Sequence, residues 1–513
     1  MDSTLSTDLF TVLPEIVLAV GGMVMLMIGV LRGGTTPQAE AATARLVYVI
    51  GIALLLAVGL MVGRVEGNRE AFGGMIVDDS FARYAKVLIL FSAAIMLVLG
   101  LEYMGRNDMM KFEYPVLAIY AVLGMLLMVS ANDLIALYMG LELQSLSLYV
   151  IAAFRRDSVR STEAGLKYFV LGALSSGLLL YGASLTYGFV GSTQFDAIAT
   201  ALTGEGDTPI GLLFGLAFLS AGFAFKISAA PFHMWTPDVY EGAPTPVTAL
   251  FATAPKIAAG ALFARAMLEP FGAISNDWQQ ILAFLAIASM FLGAVAGIGQ
   301  TNIKRLMAYS SIGHMGFALV GLAAADEAGV RAMLVYLAIY LVMNIGVFAF
   351  ILTMTRDGVQ AVKIEDLAGL SRSHPASAAC VAVLMFSLAG IPPLAGFFAK
   401  YFVLSAAVGA GLEWLAIAGV IASVISAFYY LRIIKVMYFD QPGEPLTILG
   451  GPEHKVAWGA AALLMIIAVA PFEPFNGLGA PEAATRAAQS ITGGGEAAAD
   501  AASQVDTAAQ AAE

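Results

Sequence analysis

The stretch FKISAAPFHMW, residues 225–235, places a lysine, a proline and a histidine inside a long run of apolar residues. A second stretch, SLAGIPPLAGFFAKYF at 387–402, again combines proline and lysine within an apolar run. Proline inside a helix removes a backbone hydrogen bond and frees carbonyl groups, and a lysine charge is costly away from water. The two stretches therefore predict interrupted helices that hold polar groups in an apolar setting.

The composition of the whole chain indicates an integral membrane protein. Of its 513 residues, 59% are hydrophobic and 12% are charged, and the mean hydropathy is +0.83. Apolar runs of about 20 residues, enough to cross ~30 Å of hydrocarbon as helix, recur along the sequence. A barrel would instead show alternating segments of about 10 residues, so we predict an all-α polytopic fold. We expect fourteen transmembrane helices, near 10–31, 44–63, 81–101, 112–131, 133–154, 164–190, 210–230, 244–268, 278–299, 305–325, 331–354, 376–409, 412–438 and 455–473.

Several chemistries lack support in the sequence. The start, MDSTLSTDLFTVLPE, has no basic leader, so we expect no cleaved signal peptide. The lone Cys380 excludes an internal disulfide and a cluster held by several thiolates. His233, His314, His374 and His454 show no ligand spacing, and nucleotide-binding glycine motifs are missing. We therefore expect no metal and no cofactor in this chain.

Loop charge predicts the orientation in the membrane. Loops after odd-numbered runs hold about twice as many Lys and Arg as the other loops, and such an excess marks the cytoplasmic side. We expect both termini on the outer side of a bacterial inner membrane. The Ala- and Gly-rich acidic segment 479–513 predicts a tail that is disordered or marginally helical.

Four lysines are not counted with the loops and lie inside apolar runs, where a charge costs roughly 2.5 to 3.5 kcal/mol near the bilayer centre. Lys256 is about ten residues into its run, which is ~15 Å deep. Interrupted helices that carry lysines are typical of an ion pathway, although a single lysine could reach the headgroups or form a structural ion pair. The four are Lys167, Lys226, Lys256 and Lys400.

Other polar residues in these runs allow two interpretations each. Glu163, four residues before Lys167 on the same helix face, could pair with it locally. Glu142, in ALYMGLELQSLSLY, is buried without a lysine in its own helix, and Lys167 is its nearest candidate partner in sequence. His233 could cap a turn or relay a proton. Tyr309 and His314 could likewise be core hydrogen-bonding residues or take part in proton transfer.

Three stretches together resemble the antiporter-like membrane subunits of respiratory complex I, the NADH:quinone oxidoreductase. They are KISAAPFHMWTPDVYEGAPTPVT with its continuation to residue 256, IKRLMAYSSIGHMGF at 303–317, and SLAGIPPLAGFFAKYF. The IKRLMAYSSIGH element is shared across that group, whereas VYEGAPTPVT is typical of its subunit N branch. The resemblance covers residues 10–475.

The resemblance implies a domain organisation. Three N-terminal helices at 1–111 precede two inverted five-helix repeats at 112–270 and 271–440. A last transmembrane helix at 441–478 and the tail at 479–513 follow.

The resemblance also implies roles in proton translocation. These are an ion pair, Glu142 with Lys167; a central proton-carrying lysine, Lys226; a bridging lysine, Lys256, with His233 beside it; a lysine toward the outer exit, Lys400; and a carboxylate at the entrance to the fourth helix, Glu113. Tyr309 belongs to the shared element and joins them as a candidate.

The free energy needed to move a proton across the membrane favours a buried ion pair as the controlling element. Moving a proton against about 180 mV requires roughly 4 kcal/mol. A pKa change of about three units supplies this amount, whereas an exposed ion pair contributes at most about 1 kcal/mol. We expect that loosening the Glu142–Lys167 pair makes Lys226 release its proton toward Lys256 and Lys400.

Three functional classes stay open: a redox-driven proton-translocating subunit, a subunit of a cation/proton antiporter, and a passive scaffold of the membrane arm. VYEGAPTPVT favours the first, and intramembrane lysines argue against the third. The resemblance implies that NADH, FMN, iron–sulfur clusters and quinone bind in partner subunits. We expect sibling antiporter-like subunits and the lipid bilayer as partners, with no nucleic acid and no soluble substrate.

Overall fold

The computed structural model describes residues 2–33, 36–65, 67–203, 208–444, 446–467 and 480–493. Most of these residues are helical, and ten helices among them are long and apolar enough to cross a membrane. The prediction of an all-α polytopic fold is confirmed. The elements from the N-terminus to residue 129 are α1 Asp2–Thr11, α2 Leu13–Leu31, α3 Pro37–Val62, strands β1 Arg69–Ala71 and β2 Ile76–Asp78, α4 Ser80–Arg106 and α5 Glu113–Val129.

The middle of the chain is built from long helices and short ones that interrupt them. Trp235–Gly242 and Thr245–Phe251, for example, are single short helices between longer neighbours. The elements are α6 Leu134–Ala152, α7 Val159–Val190, α8 Phe195–Leu202, α9 Ile210–Ile227, α10 Trp235–Gly242, α11 Thr245–Phe251, α12 Ala254–Phe271, a 3₁₀ turn Gly272–Ile274, α13 Ser275–Ile298 and α14 Ile303–Ala323.

The C-terminal part adds a small sheet beside its helices. Strand β3 pairs antiparallel with both β4 and β5, in the order β4-β3-β5, and β1 pairs with β2 in a separate hairpin. The elements are α15 Glu327–Ile351, β3 Met354–Arg356, β4 Val359–Gln360, a 3₁₀ turn Ile364–Leu367, α16 Leu370–Ser373, α17 Pro375–Ala389, α18 Ala395–Gly409, α19 Glu413–Phe439, β5 Thr447–Ile448, α20 Pro452–Ile467 and α21 Ala480–Thr492.

Every predicted apolar run overlaps a helix or a pair of helices, but the boundaries differ, and residues 468–473 of the last run lie outside the described part. The run 244–268 contains α11 and α12, and the run 376–409 contains α17 and α18. Three of the helices, α5, α17 and α18, are apolar but shorter than a full span. The number of fourteen crossings therefore stays a prediction.

Two antiparallel helix pairs make close backbone contact at glycines. A Cβ atom on Gly124 of α5 would lie 2.4 Å from the backbone nitrogen of Gln144 in α6. A Cβ atom on Gly293 of α13 would lie 2.6 Å from the backbone nitrogen of Gly313 in α14. Only glycine permits these contacts, so each pair is fixed at one crossing point.

The two predicted interruptions share one backbone pattern. Helix α9 ends at Ile227, and Ser228 then adopts a left-handed conformation with φ 68° before the cis bond Ala230–Pro231. Helix α17 ends at Ala389, and Gly390 has φ 83° before the cis bond Pro392–Pro393. A third interruption, between α11 and α12, was not predicted.

The most enclosed of the long helices are α12, α14 and α15. Nearly every residue of α14 is buried, whereas α2, α7 and α19 expose broad apolar faces. The polar residues described below therefore lie in the interior of the bundle, with apolar helices around them.

Part of the C-terminal segment is helical, which is one of the two alternatives predicted for the tail. Residues 480–492 form helix α21, whose Ala484, Ala487 and Ala488 are fully buried. The helix packs against α4 and α15, and Gln489 Nε2 donates a hydrogen bond to Glu327 Oε1 at 3.1 Å. Alanine favours helix, and small residues three and four apart allow close packing, which accounts for a helix here. Residue 479 and residues 494–513 lie outside the described part.

Candidate functional site

Lys226, on the last turn of α9, points into a buried polar position. Its side chain is 7% exposed, and its Nζ donates a hydrogen bond to Ser145 Oγ of α6 at 2.7 Å. The same Nζ lies 5.8 Å from the centre of the Tyr149 ring, on the same face of α6 one turn further on. The ammonium group is therefore held by a hydroxyl and an aromatic face.

Lys256, on the first turn of α12, occupies the first interruption. Its Nζ donates to the carbonyl of Ile227 at 3.1 Å and to the Ser228 hydroxyl, and it lies 5.3 Å from the Trp235 ring centre. Trp235 Nε1 donates in turn to the carbonyl of Phe225 at 3.0 Å. The Ile227 carbonyl at the end of α9 is thus satisfied by Lys256, and the Phe225 carbonyl, which also accepts from the backbone nitrogen of Ser228 at 3.1 Å, gains a second donor in Trp235.

Lys400, on α18, occupies the second interruption in the same manner. Its Nζ donates to the carbonyl of Ala389 and to Ser423 Oγ of α19, both at 2.9 Å. It also lies 5.0 Å from the ring centre of Phe317 on α14. Lys400 is 5% exposed and Lys256 is 1% exposed, so both charges are withdrawn from solvent.

A tyrosine and histidine cluster lies next to Lys400. His314 contacts two hydroxyls, Tyr336 Oη at Nδ1 over 2.7 Å and Tyr430 Oη at Nε2 over 3.2 Å. Tyr430 Oη is also 2.5 Å from Ser310 Oγ. A small cavity with about 10 Å³ of space for water centres is lined by both His314 and Lys400, enough for about one water molecule. The cluster and the lysine therefore face a common polar space.

Glu142 lies one turn before Ser145 on α6, and Ser145 is the residue whose hydroxyl accepts the hydrogen bond of Lys226. Glu142 Oε1 accepts a hydrogen bond from Ser176 Oγ of α7. Glu142 and Lys226 are thus linked to adjacent turns of one helix and are close enough to interact electrostatically.

The sequence of the chain matches a known protein family and its members. The family described as NADH:quinone oxidoreductase/Mrp antiporter, TM matches residues 131–426, which include Lys226, Lys256 and Lys400. NADH-quinone oxidoreductase subunit N of Jannaschia sp. (strain CCS1) is 62% identical over 442 residues, 86% of this chain and 90% of that protein. The chain belongs to the NADH-quinone oxidoreductase subunit N family. The family member of Rhodospirillum rubrum is 57% identical over 460 residues, 90% of this chain and 94% of that protein.

Solved structures agree with the family. A chain of respiratory complex I from Thermus thermophilus with bound Aureothin superposes with a TM-score of 0.75 at 32% identity, covering 92% of this chain and 99% of that one. A chain of the Mrp complex from Dietzia sp. DQ12-45-1b has a TM-score of 0.77 at 20% identity, covering 94% and 98%. The second likeness shows a common fold only.

The predicted ion pair between Glu142 and Lys167 is not formed in the structure. Lys167 Nζ lies 2.7 Å from Glu163 Oε1 and 2.8 Å from Asp238 Oδ2, and its side chain is 42% exposed. The local partner therefore prevails, because i,i+4 residues face each other on a helix. Lys167 was the nearest candidate partner of Glu142 in sequence. The residue of α7 that contacts Glu142 is instead Ser176.

Three further predicted residues lie outside the buried lysine sites. His233 is half-buried in the segment between α9 and α10, and its Nδ1 has no hydrogen-bond partner among the described residues. Tyr309 is partly exposed, and the polar contacts of its helix come from Ser310, Ser311 and His314. Glu113 is the exposed first residue of α5.

A buried ionic cluster near the start of α4 was not predicted from the sequence. Lys86 Nζ lies 2.8 Å from Glu15 Oε1, and both side chains are at most 5% exposed. Arg265 NH2 donates to both carboxylate oxygens of Asp79 at 2.7 and 2.8 Å, and its NH1 lies 2.6 Å from Glu269 Oε1. Lys86 and Arg265 lie within the predicted apolar runs 81–101 and 244–268, and the sequence contains no signal that pairs them with these carboxylates.

A second missed group lies where α14 begins. Lys304 is buried and donates to the carbonyl of Ala243, which follows α10, at 2.7 Å. Arg305 reaches Asp238 at 2.7 Å and Glu241 at 3.0 Å, so Asp238 joins Lys167 to Arg305. The short helix α10 had not been predicted, and its acidic residues therefore had no assigned neighbours.

Proposed function

We propose that the chain is a proton-translocating membrane-arm subunit of NADH:quinone oxidoreductase and that its buried lysines carry the protons. Electron transfer from NADH to quinone takes place in partner subunits. The membership in the subunit N family and the match to a complex I chain support the assembly. The buried state of Lys226, Lys256 and Lys400 supports the pathway.

The neutral character of the lysine partners is the observation that carries the proposal. Among the described residues, none of the three ammonium groups is within ion-pair distance of a carboxylate. Their donors meet hydroxyls and helix-end carbonyls instead. A charge held only by neutral groups in a low-dielectric site responds strongly to nearby charges. Such an amine can lose and regain a proton when a carboxylate or a water chain approaches.

Glu142 is the charge that controls the first lysine. It lies one turn from Ser145, the acceptor of Lys226, and is anchored by Ser176. Loss or displacement of this negative charge removes an attraction for the protonated Lys226. The proton then passes toward Lys256 and, through the second half of the bundle, toward Lys400. Lys167 is coupled to Asp238 and so acts at the surface end of this system.

The energy required is within reach of buried electrostatics. Raising a proton against about 180 mV takes roughly 4 kcal/mol. Two unit charges at an effective dielectric constant of about 20 interact by about 4 kcal/mol at 4 Å. A buried carboxylate that approaches or leaves an ammonium group therefore supplies an effect of the right size.

The assembly defines the partners and the location. The exposed apolar faces of α2, α7 and α19 contact lipid or sibling membrane subunits. NADH, FMN, iron–sulfur clusters and quinone bind in other chains. The chain resides in the bacterial inner membrane with both termini on the outer side, and its pumping unit consists of the repeats 112–270 and 271–440.

The test is NADH-driven proton uptake by inverted membrane vesicles that contain the assembled complex. We expect Lys226→Ala and Glu142→Ala each to reduce uptake and coupled quinone reduction strongly, and Lys226→Arg to spare part of both. Lys435→Ala is the matched control, since this exposed lysine pairs with Asp440 away from the buried sites. Unchanged uptake in both alanine variants, with normal assembly, would contradict the proposal.

A cation/proton antiporter is the alternative. The likeness to the Mrp chain shows the fold alone, and the high sequence identity is to subunit N. Sodium-dependent proton movement in vesicles without quinone, abolished by Lys226→Ala, would favour the antiporter.

A further inference from the structure

A cluster of potential metal ligands lies where the end of α4 meets the start of α20, apart from the buried lysines. Glu102, Glu453 and His454 place one carboxylate or imidazole atom each within 4.8 Å of one another. His454 Nδ1 is 3.3 Å from Glu453 Oε1 and 3.9 Å from Glu102 Oε2. The sequence showed no ligand pattern because these residues come from helices far apart in the chain.

The hydrogen bonding of His454 determines which ring nitrogen faces the carboxylates. Its Nε2 lies 3.0 Å from the carbonyl of Leu99, and a carbonyl can only accept, so Nε2 carries the proton. In the neutral ring Nδ1 is then a bare lone pair. The side chain is fully buried, and Nδ1 has no hydrogen-bond partner among the described residues. A bare lone pair directed at two carboxylates is repulsive, and a proton on Nδ1 or a metal cation between the three groups removes the repulsion.

The surroundings hold the carboxylates in place. The backbone nitrogen of Gly451 donates to Glu102 Oε2 at 2.9 Å, and Arg106 Nε lies 3.9 Å from the other oxygen of Glu102. A Cβ atom on Gly451 would lie 2.3 Å from Glu453 Oε1, so only glycine leaves this carboxylate its position. Metal-binding residues are commonly oriented by such outer contacts.

We propose that Glu102, Glu453 and His454 bind a Zn²⁺ ion. Two ligands bonded at 2.0–2.1 Å to a tetrahedral ion lie about 3.4 Å apart, close to the observed separations. An imidazole nitrogen with two carboxylates favours zinc over Mg²⁺, which prefers oxygen ligands and water. Both glutamates are about one-third exposed, so the ion can enter from the surface and water can complete the coordination.

The ion would fasten two distant parts of the chain. Leu99 and Glu102 belong to α4, in the N-terminal helices, whereas His454 begins α20, the last of the predicted transmembrane helices. Zinc bound between them stabilises this junction and takes no part in proton transfer. The site is therefore independent of the proposed function.

The test is zinc binding by the full-length chain purified in detergent. The chain is stripped with a chelator, dialysed against Zn²⁺ in the presence of excess Mg²⁺, and its zinc content is measured by elemental mass spectrometry. We expect one Zn²⁺ per chain that is lost in Glu453→Gln and in His454→Ala. Glu413→Gln, which changes a glutamate in the first turn of α19, is the matched control and retains the ion.

Two outcomes would overturn the site. One is equal zinc content in the wild-type chain and Glu453→Gln, and the other is no retained zinc in the wild-type chain. Glu453→Gln keeps the volume of the side chain, and helical circular dichroism verifies its fold. A thermal unfolding midpoint that rises with Zn²⁺ in the wild-type chain and in Glu413→Gln, but not in Glu453→Gln, provides an independent readout.

Discussion

At both helix interruptions a lysine meets the last carbonyl of the helix that ends there, but the lysines come from different places. Lys256 reaches Ile227 from α12, a separate helix, whereas Lys400 reaches Ala389 from α18, the continuation of the interrupted helix itself. At the first interruption the lysine therefore connects α9 to the separate helix α12. At the second, the lysine connects the two halves of the interrupted helix, α17 and α18, to each other.

The two interruptions also differ in enclosure. Ser228 and Ala230 of the first are at most 2% exposed, although Pro231 after them is exposed, whereas both Pro392 and Pro393 of the second are exposed. Water in the small cavity that Lys400 lines can replace a lost contact at the second interruption. The comparison indicates that the turn before the proline is more deeply buried in the first interruption than in the second.

Replacing each of the two lysines by alanine should give the largest difference between the two interruptions. Lys256→Ala leaves the Ile227 carbonyl buried without a donor, at about 1–3 kcal/mol, and we expect proton uptake to fall roughly tenfold or more. Lys400→Ala should reduce uptake less, because the small cavity that Lys400 lines has room for about one water molecule to replace the lost donor. The measurement is NADH-driven uptake in vesicles, normalised to assembled complex. Equal losses in the two variants would show that enclosure does not distinguish the sites.

A backbone change should affect the second interruption more selectively. Gly390→Ala places a side chain at φ 83° and a Cβ atom 2.9 Å from Lys400 Cδ. The left-handed conformation costs about 1–2 kcal/mol, so we expect the free energy of unfolding to fall by that amount. Thermal unfolding of the purified chain measures it. Gly409→Ala, in the last turn of α18 with open space around it, should be nearly neutral. A loss of the same size in Gly409→Ala would refute the reason given.

The smallest expected effect concerns the hydroxyls that accept from the lysines. Ser228→Ala removes one contact of Lys256, whose carbonyl contact remains, so a loss of about 1 kcal/mol is expected. Ser423→Ala at Lys400 should cost less, since Ser423 is only partly buried. Proton uptake and thermal unfolding are compared for both variants. A larger loss of stability or uptake in Ser423→Ala than in Ser228→Ala would contradict the conclusion that the first interruption is the more enclosed one.

The sequence allowed the membrane fold and the interrupted helices to be predicted, because apolar length and proline leave direct patterns. It also identified Lys226, Lys256 and Lys400 as lysines within apolar runs, and the structure shows all three buried. Their partners were not predictable. The carbonyls of Ile227 and Ala389 carry no residue-specific signal, and any residue could supply them.

The errors have a common physical origin. Glu142 was paired with Lys167 by sequence distance, yet the packing of α7 presents Ser176 to Glu142 and leaves Lys167 toward Asp238. The buried ion pairs of Lys86 and Arg265 were not predicted, because position in a run does not reveal burial against a neighbouring segment. Contacts between distant segments decide these cases, and a single sequence does not specify them.

Helix α21 has a consequence for biosynthesis. It rests its buried alanines on α4 and α15, which the ribosome releases earlier. Domains form as the chain emerges, N-terminal parts first. The surface that α4 and α15 present to α21 therefore stays uncovered by it until residues 480–492 have been synthesised.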